Sequence, residues 1–227
     1  MKALLARTSP RCNIPEVEEQ SLPCDVLRVC FYQEYTAFQE IKKFFLNHDY
    51  DYLVIASDDI VVKPEHVEKL LINLDQFDVL GGMMNVDQKD YPNGNLAISY
   101  SLPPLDMPYD WLTPDRLPES NAFPVEFNGF CLMAIKREIV EKYDFRADSI
   151  LRGGTDPAFG GSYDLVFCHW CKLNNINIYT DKRIFMKHLR QSGKLRLGEQ
   201  PQQIHLLKPN ERMIDRWHTE PTQQHRF

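Results

Sequence analysis

Short apolar runs alternate with stretches of helical period through the first third of the chain. Residues 2–6 read as a strand, followed by a polar, doubly basic loop, Arg7-Thr8-Ser9-Pro10-Arg11. Residues 25–31 (Asp-Val-Leu-Arg-Val-Cys-Phe) predict a second strand. Thr36 is placed to cap a helix running to about Asn47, with Phe38, Ile41, Phe44 and Phe45 at helical spacing. Residues 52–57 predict a third strand. Pro64 then opens a second helix that puts Val67, Leu70, Leu71 and Leu74 on one face. Val79, Leu80 and Gly81-Gly82 predict a further strand. This β-α-β-α-β order predicts a largely parallel α/β sheet.

The middle of the chain has another character. Residues 85–124 hold most of the Pro and Asn and little periodicity, which predicts a long irregular excursion or a hairpin, with Tyr100 to Tyr109 lining a surface. Residues 125–135 return to a buried strand. Gly153-Gly154 and Gly160-Gly161 bracket Asp156 in what reads as a mobile or tightly turned loop, a helix follows from about Tyr163 to Leu173, and a strand covers Ile176–Tyr179.

The 43% hydrophobic and 11% aromatic content of the 227 residues suits a sizeable core. No window approaches the roughly 20 apolar residues of a membrane span. The start, Met1-Lys2-Ala3-Leu4-Leu5-Ala6-Arg7, is too short and too soon charged for a signal peptide. Six irregularly spaced cysteines in a chain of this size read as reduced thiols of a cytoplasmic protein, a location that includes the periphery of a membrane carrying its substrate. Cys168-His169-Trp170-Cys171 lacks a second pair for zinc and reads as core packing. Charge is uneven. Residues 1–181 carry 16 Lys and Arg against 28 Asp and Glu, a balance of −12, while residues 182–227 carry 10 against 4, a balance of +6. An acidic body argues against nucleic acid as a partner. The basic tail either docks on that body or supplies cations to a phosphate, with Lys194, Arg196 and His205 as the groups concerned.

The run Tyr52-Leu53-Val54-Ile55-Ala56-Ser57-Asp58-Asp59 carries the most chemistry. A buried strand ends on two adjacent carboxylates, and open α/β sheets hold their ligands at the carboxyl ends of strands. Two acids there suit a hard divalent cation shared with phosphate oxygens; the plainer reading is a solvated turn.

Several short motifs, in order, carry a family resemblance. Ser57-Asp58-Asp59 resembles a D-x-D metal motif with Ser in the first place. Asn128-Gly129-Phe130-Cys131-Leu132-Met133 resembles the strand that begins an acceptor half. Gly161-Ser162-Tyr163-Asp164-Leu165-Val166-Phe167 resembles the helix bearing a catalytic carboxylate, with Tyr163 where a Glu is usual. Asn177-Ile178-Tyr179-Thr180-Asp181 and Met186-Lys187-His188-Leu189 resemble a downstream strand and its metal-ligand histidine. Over roughly residues 2–190 the chain thus resembles the GT-A-fold, nucleotide-sugar-dependent glycosyltransferases of the large glycosyltransferase-2-like group.

The resemblance implies a GT-A-like, Rossmann-like α/β domain over residues 1–190, with a nucleotide-binding half to about residue 84, an acceptor half over 85–190, and a basic tail over 191–227. It implies Mn²⁺ or Mg²⁺ held by Asp59, with Asp58 as a ligand through water or a partner of the ribose, and with His188. A mixed Asp/His set favours Mn²⁺. The donor would be a nucleoside-diphosphate sugar, with uridine preferred, contacted by Arg7, Thr8, Ser9, Arg11 and Asp58, and by Lys194 at the diphosphate. The acceptor would be a hydroxyl of a glycan or glycoconjugate. Asp164 is the preferred base for that hydroxyl and Asp156 the competing one. Two other functions remain open. A sugar nucleotidyltransferase would need a Gly-rich loop after the first strand, which Arg7–Arg11 lacks. A non-catalytic sugar-nucleotide or glycan-binding module is suggested by the departure at Tyr163.

Overall fold

The computed structural model describes residues 1–9, 14–86, 94–102, 110–145, 163–189 and 201–215. In chain order the elements are β1 (Ala3–Ser9), α1 (Pro15–Glu18), β2 (Asp25–Cys30), α2 (Glu34–Leu46), β3 (Tyr52–Ile55), β4 (Ile60–Val61), α3 (Pro64–Ile72) and β5 (Val79–Met84). There follow β6 (Ile98–Ser99), β7 (Ala122–Val125), β8 (Phe127–Asn128), β9 (Met133–Lys136), α4 (Arg137–Lys142), α5 (Tyr163–Leu173), β10 (Ile178–His188) and β11 (Gln203–Leu207). Helix α2 forms because Ala37, Phe38, Ile41 and Phe45 fall on one buried stripe; its cap is Gln33, leaving Thr36 inside the first turn. Pro64 opens α3 at its first turn, where a missing N–H costs nothing.

The principal sheet has nine strands in the order β11-β2-β1-β3-β9-β5-β10-β4, with β7 also pairing β10. This corrects the expected mostly parallel GT-A-like sheet. Strands β1, β2 and β3 are mutually parallel, as are β5 and β10. However, β9 runs antiparallel between β3 and β5, β11 is antiparallel to β2, and both β4 and β7 are antiparallel to β10. An apolar run reports burial, not direction, so the sequence pattern of a central strand is the same for either orientation.

Three further differences bear on the site. Strand β1 continues through Arg7, Thr8 and Ser9, which were expected in a loop. The run 125–135 is not one strand: between β8 and β9 the backbone turns through Phe130 (φ 49°) and Leu132 (φ 50°). The strand expected at 176–179 extends to His188. Within the segment expected as a tail, β11 is an edge strand of the sheet, and Asn210 N–H donates to Leu22 O.

One core layer lies under α2, α4 and α5, centred on Phe38, Phe45, Phe127, Phe145 and Phe167. The other lies under α3, with Val54, Leu70, Leu80, Ile184 and Met186. Cys168 and Cys171 pack in the first layer, and Cys24, Cys30, Cys131, Cys168 and Cys171 are all free and buried. Among the described residues no helix is long and apolar enough to cross a membrane.

Candidate functional site

The pairing directions bring the carboxyl ends of β1, β2, β3, β5 and β10 to one edge of the sheet. The turn after β3 carries Asp58 and Asp59 there. Arg7 holds that turn from beneath: its Nη1 donates to Ser57 O at 2.7 Å and to Ile60 O at 2.9 Å. The guanidinium is buried, and its pKa is pushed down to about 9, first by burial and then by neighbouring Arg28; Glu18, Asp58 and Asp59 oppose the shift. Arg28 in turn forms a buried ion pair with Glu18 of α1.

Strand β10 outruns β5 and pairs with the two-residue β4, with His188 opposite Ile60. Leu189 N–H donates to Asp59 O at 2.9 Å. This register sets His188 Nε2 3.3 Å from Asp59 Oδ2. The other ring nitrogen, Nδ1, lies 3.2 Å from Asn85 O, just past the end of β5. A carbonyl only accepts, so Nδ1 carries the hydrogen of that bond. In the neutral ring, Nε2 then presents a lone pair to a carboxylate. That contact calls for a cation between the two groups, either a proton or a metal ion.

A divalent metal fits this pair. With donors about 2.1 Å from one ion, neighbouring donors sit roughly 3.0 Å apart in octahedral and about 3.4 Å in tetrahedral geometry. The observed 3.3 Å falls between. A histidine whose second nitrogen donates to a backbone carbonyl is also the usual oriented metal ligand. Among the described residues no three of His, Cys, Asp and Glu gather as a metal-binding group. Asp59 and His188 would therefore be the principal protein donors of those types, with Asp58, 5% exposed, beside them.

Helix α5 packs against β8, and its first turn lies beside the β8–β9 turn at the same edge. Asp164 Oδ1 accepts from Leu165 N–H at 2.8 Å. Its Oδ2 lies beside the β8–β9 turn, where a Cβ built on Gly129 would be 3.5 Å away. Tyr163, which stands where the family resemblance implies a Glu, is 3% exposed and packs its ring 5.0 Å from that of Phe38. Burial pushes its phenol pKa upward.

Asp59 and His188 are thus brought together, with Asp58 adjacent. Arg7, Thr8 and Ser9 lie buried in β1, and Arg7 is directed at backbone carbonyls of the acidic turn. Asp156, Arg11 and Lys194 lie outside the described residues. The sequence reading does not single out Asn85, and it names Asn128 only as the start of a motif, without a role. Asn85 carried the same signal as Asp58, a polar residue directly after an apolar strand. Asn128 is fully buried, and its amide joins three segments of backbone and side chain.

The fold and this edge define a mixed α/β protein with an acid–histidine pair at the carboxyl ends of its parallel strands. No family model and no curated protein matches the chain. Among solved structures it is similar to A197 from STIV, with a TM-score of 0.52 and 15% identity over 100% of both chains, a likeness of fold alone.

Proposed function

We propose that the chain is a metal-dependent glycosyltransferase, moving a hexosyl group from a nucleoside-diphosphate sugar, with uridine the favoured base, to a hydroxyl of a glycan or glycoconjugate. The observation that carries this reading is the His188–Asp59 contact, oriented by the Asn85 carbonyl, at a sheet edge of the kind that holds ligands. Asp59 and His188 would hold Mn²⁺ or Mg²⁺, with Asp58 as a ligand through water or a partner of the ribose. When bound, the ion supplies charge neutralisation to the leaving diphosphate. Arg7 keeps the acidic turn in place from the buried side. Asp164 takes the proton of the acceptor hydroxyl, with its Oδ2 beside the β8–β9 turn at Gly129. The free, buried cysteines accord with a reducing compartment such as the cytoplasm.

Titration calorimetry tests the reading. Uridine diphosphate should bind more tightly with Mn²⁺ than with a chelator, and Asp59→Asn should abolish the difference. Equal affinity under both conditions in the unmodified protein refutes it.

A further inference from the structure

We infer that Glu18 of α1 is a positioning residue of the metal site, acting on Arg7 through one buried water; the assignment rests on the metal-dependent reading above. Arg7 and Arg28 stand directly opposite each other in the parallel register of β1 and β2, so both side chains lie on one face of the sheet. Each is 2% exposed, as is Glu18, which forms its ion pair with Arg28 through Oε1. Two like charges side by side under cover repel, and Glu18 opposes the push that Arg28 exerts on Arg7. Arg7, Glu18 and Arg28 line a common cavity, walled also by Leu22, Val26 and Met213. It leaves about 10 Å³ for the centre of a water-sized group, the room that one water needs.

The chemistry of the walls selects the occupant. Glu18 Oε2 is buried and has no hydrogen-bond partner among the described residues. Buried polar atoms are nearly always satisfied, by protein or by ordered water, so the occupant must donate to Oε2. A halide cannot donate, and a cation would face two guanidiniums. Water donates to the carboxylate and accepts from the N–H fork of Arg7. The consequence reaches the metal site. Arg7 Nη1 donates to Ser57 O and to Ile60 O, the carbonyls that flank Asp58 and Asp59. Leu189 N–H ties the same turn to the end of β10 through Asp59 O, where Asp59 meets His188 at 3.3 Å. A guanidinium held by Glu18 therefore holds the turn that presents the ligand carboxylate. Groups that orient metal ligands from behind typically set affinity by about 10–100-fold.

The test uses the full chain in two arms. A crystal structure that resolves ordered water should hold one water in the cavity, within hydrogen-bond distance of Glu18 Oε2 and of Arg7. No density there, or a halide marked by the anomalous signal of bromide, overturns the assignment. The second arm is binding of Mn²⁺ alone, read by electron paramagnetic resonance of free against bound ion. Glu18→Gln, measured well below its melting temperature, should weaken Mn²⁺ binding about tenfold or more. Glu18→Gln combined with Arg28→Met removes the repelling neighbour as well, and should recover most of the lost affinity. A lower melting temperature of Glu18→Gln with unchanged Mn²⁺ affinity overturns the assignment while the metal site stands, since Glu18 then serves the fold alone. A loss that persists in the double variant also overturns it, because Glu18 then does not act by relieving Arg7. If Glu18→Gln does not fold, the cavity density and the double variant decide, and a folded double variant about tenfold weaker for Mn²⁺ overturns the assignment. Absence of Mn²⁺ binding in the unmodified protein removes the assignment together with the metal-dependent reading.

Discussion

Asn128→Ala is the substitution whose cost can be worked out most fully. Strand β9 pairs with β5 only as far as Leu80 opposite Ala134. Beyond that point the β8–β9 turn takes over the ladder. Gly82 N–H donates to Cys131 O at 2.7 Å, and Gly82 O accepts from Asn128 Nδ2 at 3.0 Å. The same Nδ2 donates to Thr180 Oγ1 at 2.9 Å, and Asn128 Oδ1 accepts from Cys131 N–H at 3.2 Å. Each bond is worth about 0.5–1.5 kcal/mol net, and an orphaned buried partner costs about 1–3 kcal/mol. With partial relaxation, truncation should cost roughly 3–5 kcal/mol. For a chain of this size that lowers the melting temperature by on the order of 10 °C. Urea unfolding with linear extrapolation measures the loss directly. The geometry also predicts a coupling. A Cβ on Gly81 would lie 2.6 Å from Asn128 Nδ2, so Gly81→Ala should be destabilising alone and milder once Asn128 is Ala. A cost below about 1 kcal/mol for Asn128→Ala, or additive effects in the double variant, would refute the reasoning.

Two further predictions concern the surroundings of the site. Glu18→Gln should destabilise the protein by about 3–5 kcal/mol in chemical denaturation, because it leaves Arg28 and Arg7 as buried like charges; a loss under about 1 kcal/mol would mean that water already screens them. Asp164→Asn should lower transfer, or donor hydrolysis, by ~10²-fold or more with donor affinity little changed, and a large effect of Asp156→Asn in its place would move the base to that residue.

Local order was legible where neighbours in sequence decide it. The helix expected over Tyr163 to Leu173 has those bounds, Pro64 opens α3, and β2 lies where its apolar run predicted, because periodicity and proline chemistry act within a turn or a strand. The acidic end of β3 was equally visible. The direction of β9 was not, nor was the docking of β11 on β2, because strand orientation and neighbours are set by contacts far apart in sequence. Arg7 shows the reason most directly. As sequence it is a charged residue beside Thr, Ser and Pro, and it reads as loop. In the folded chain its charge is accepted inside β1 because the carbonyls of Ser57 and Ile60, some fifty residues away, are turned toward it. The same long-range pairing sets His188 against Asp59: the residues were written in the sequence, but their 3.3 Å approach depends on the register of β10 on β4.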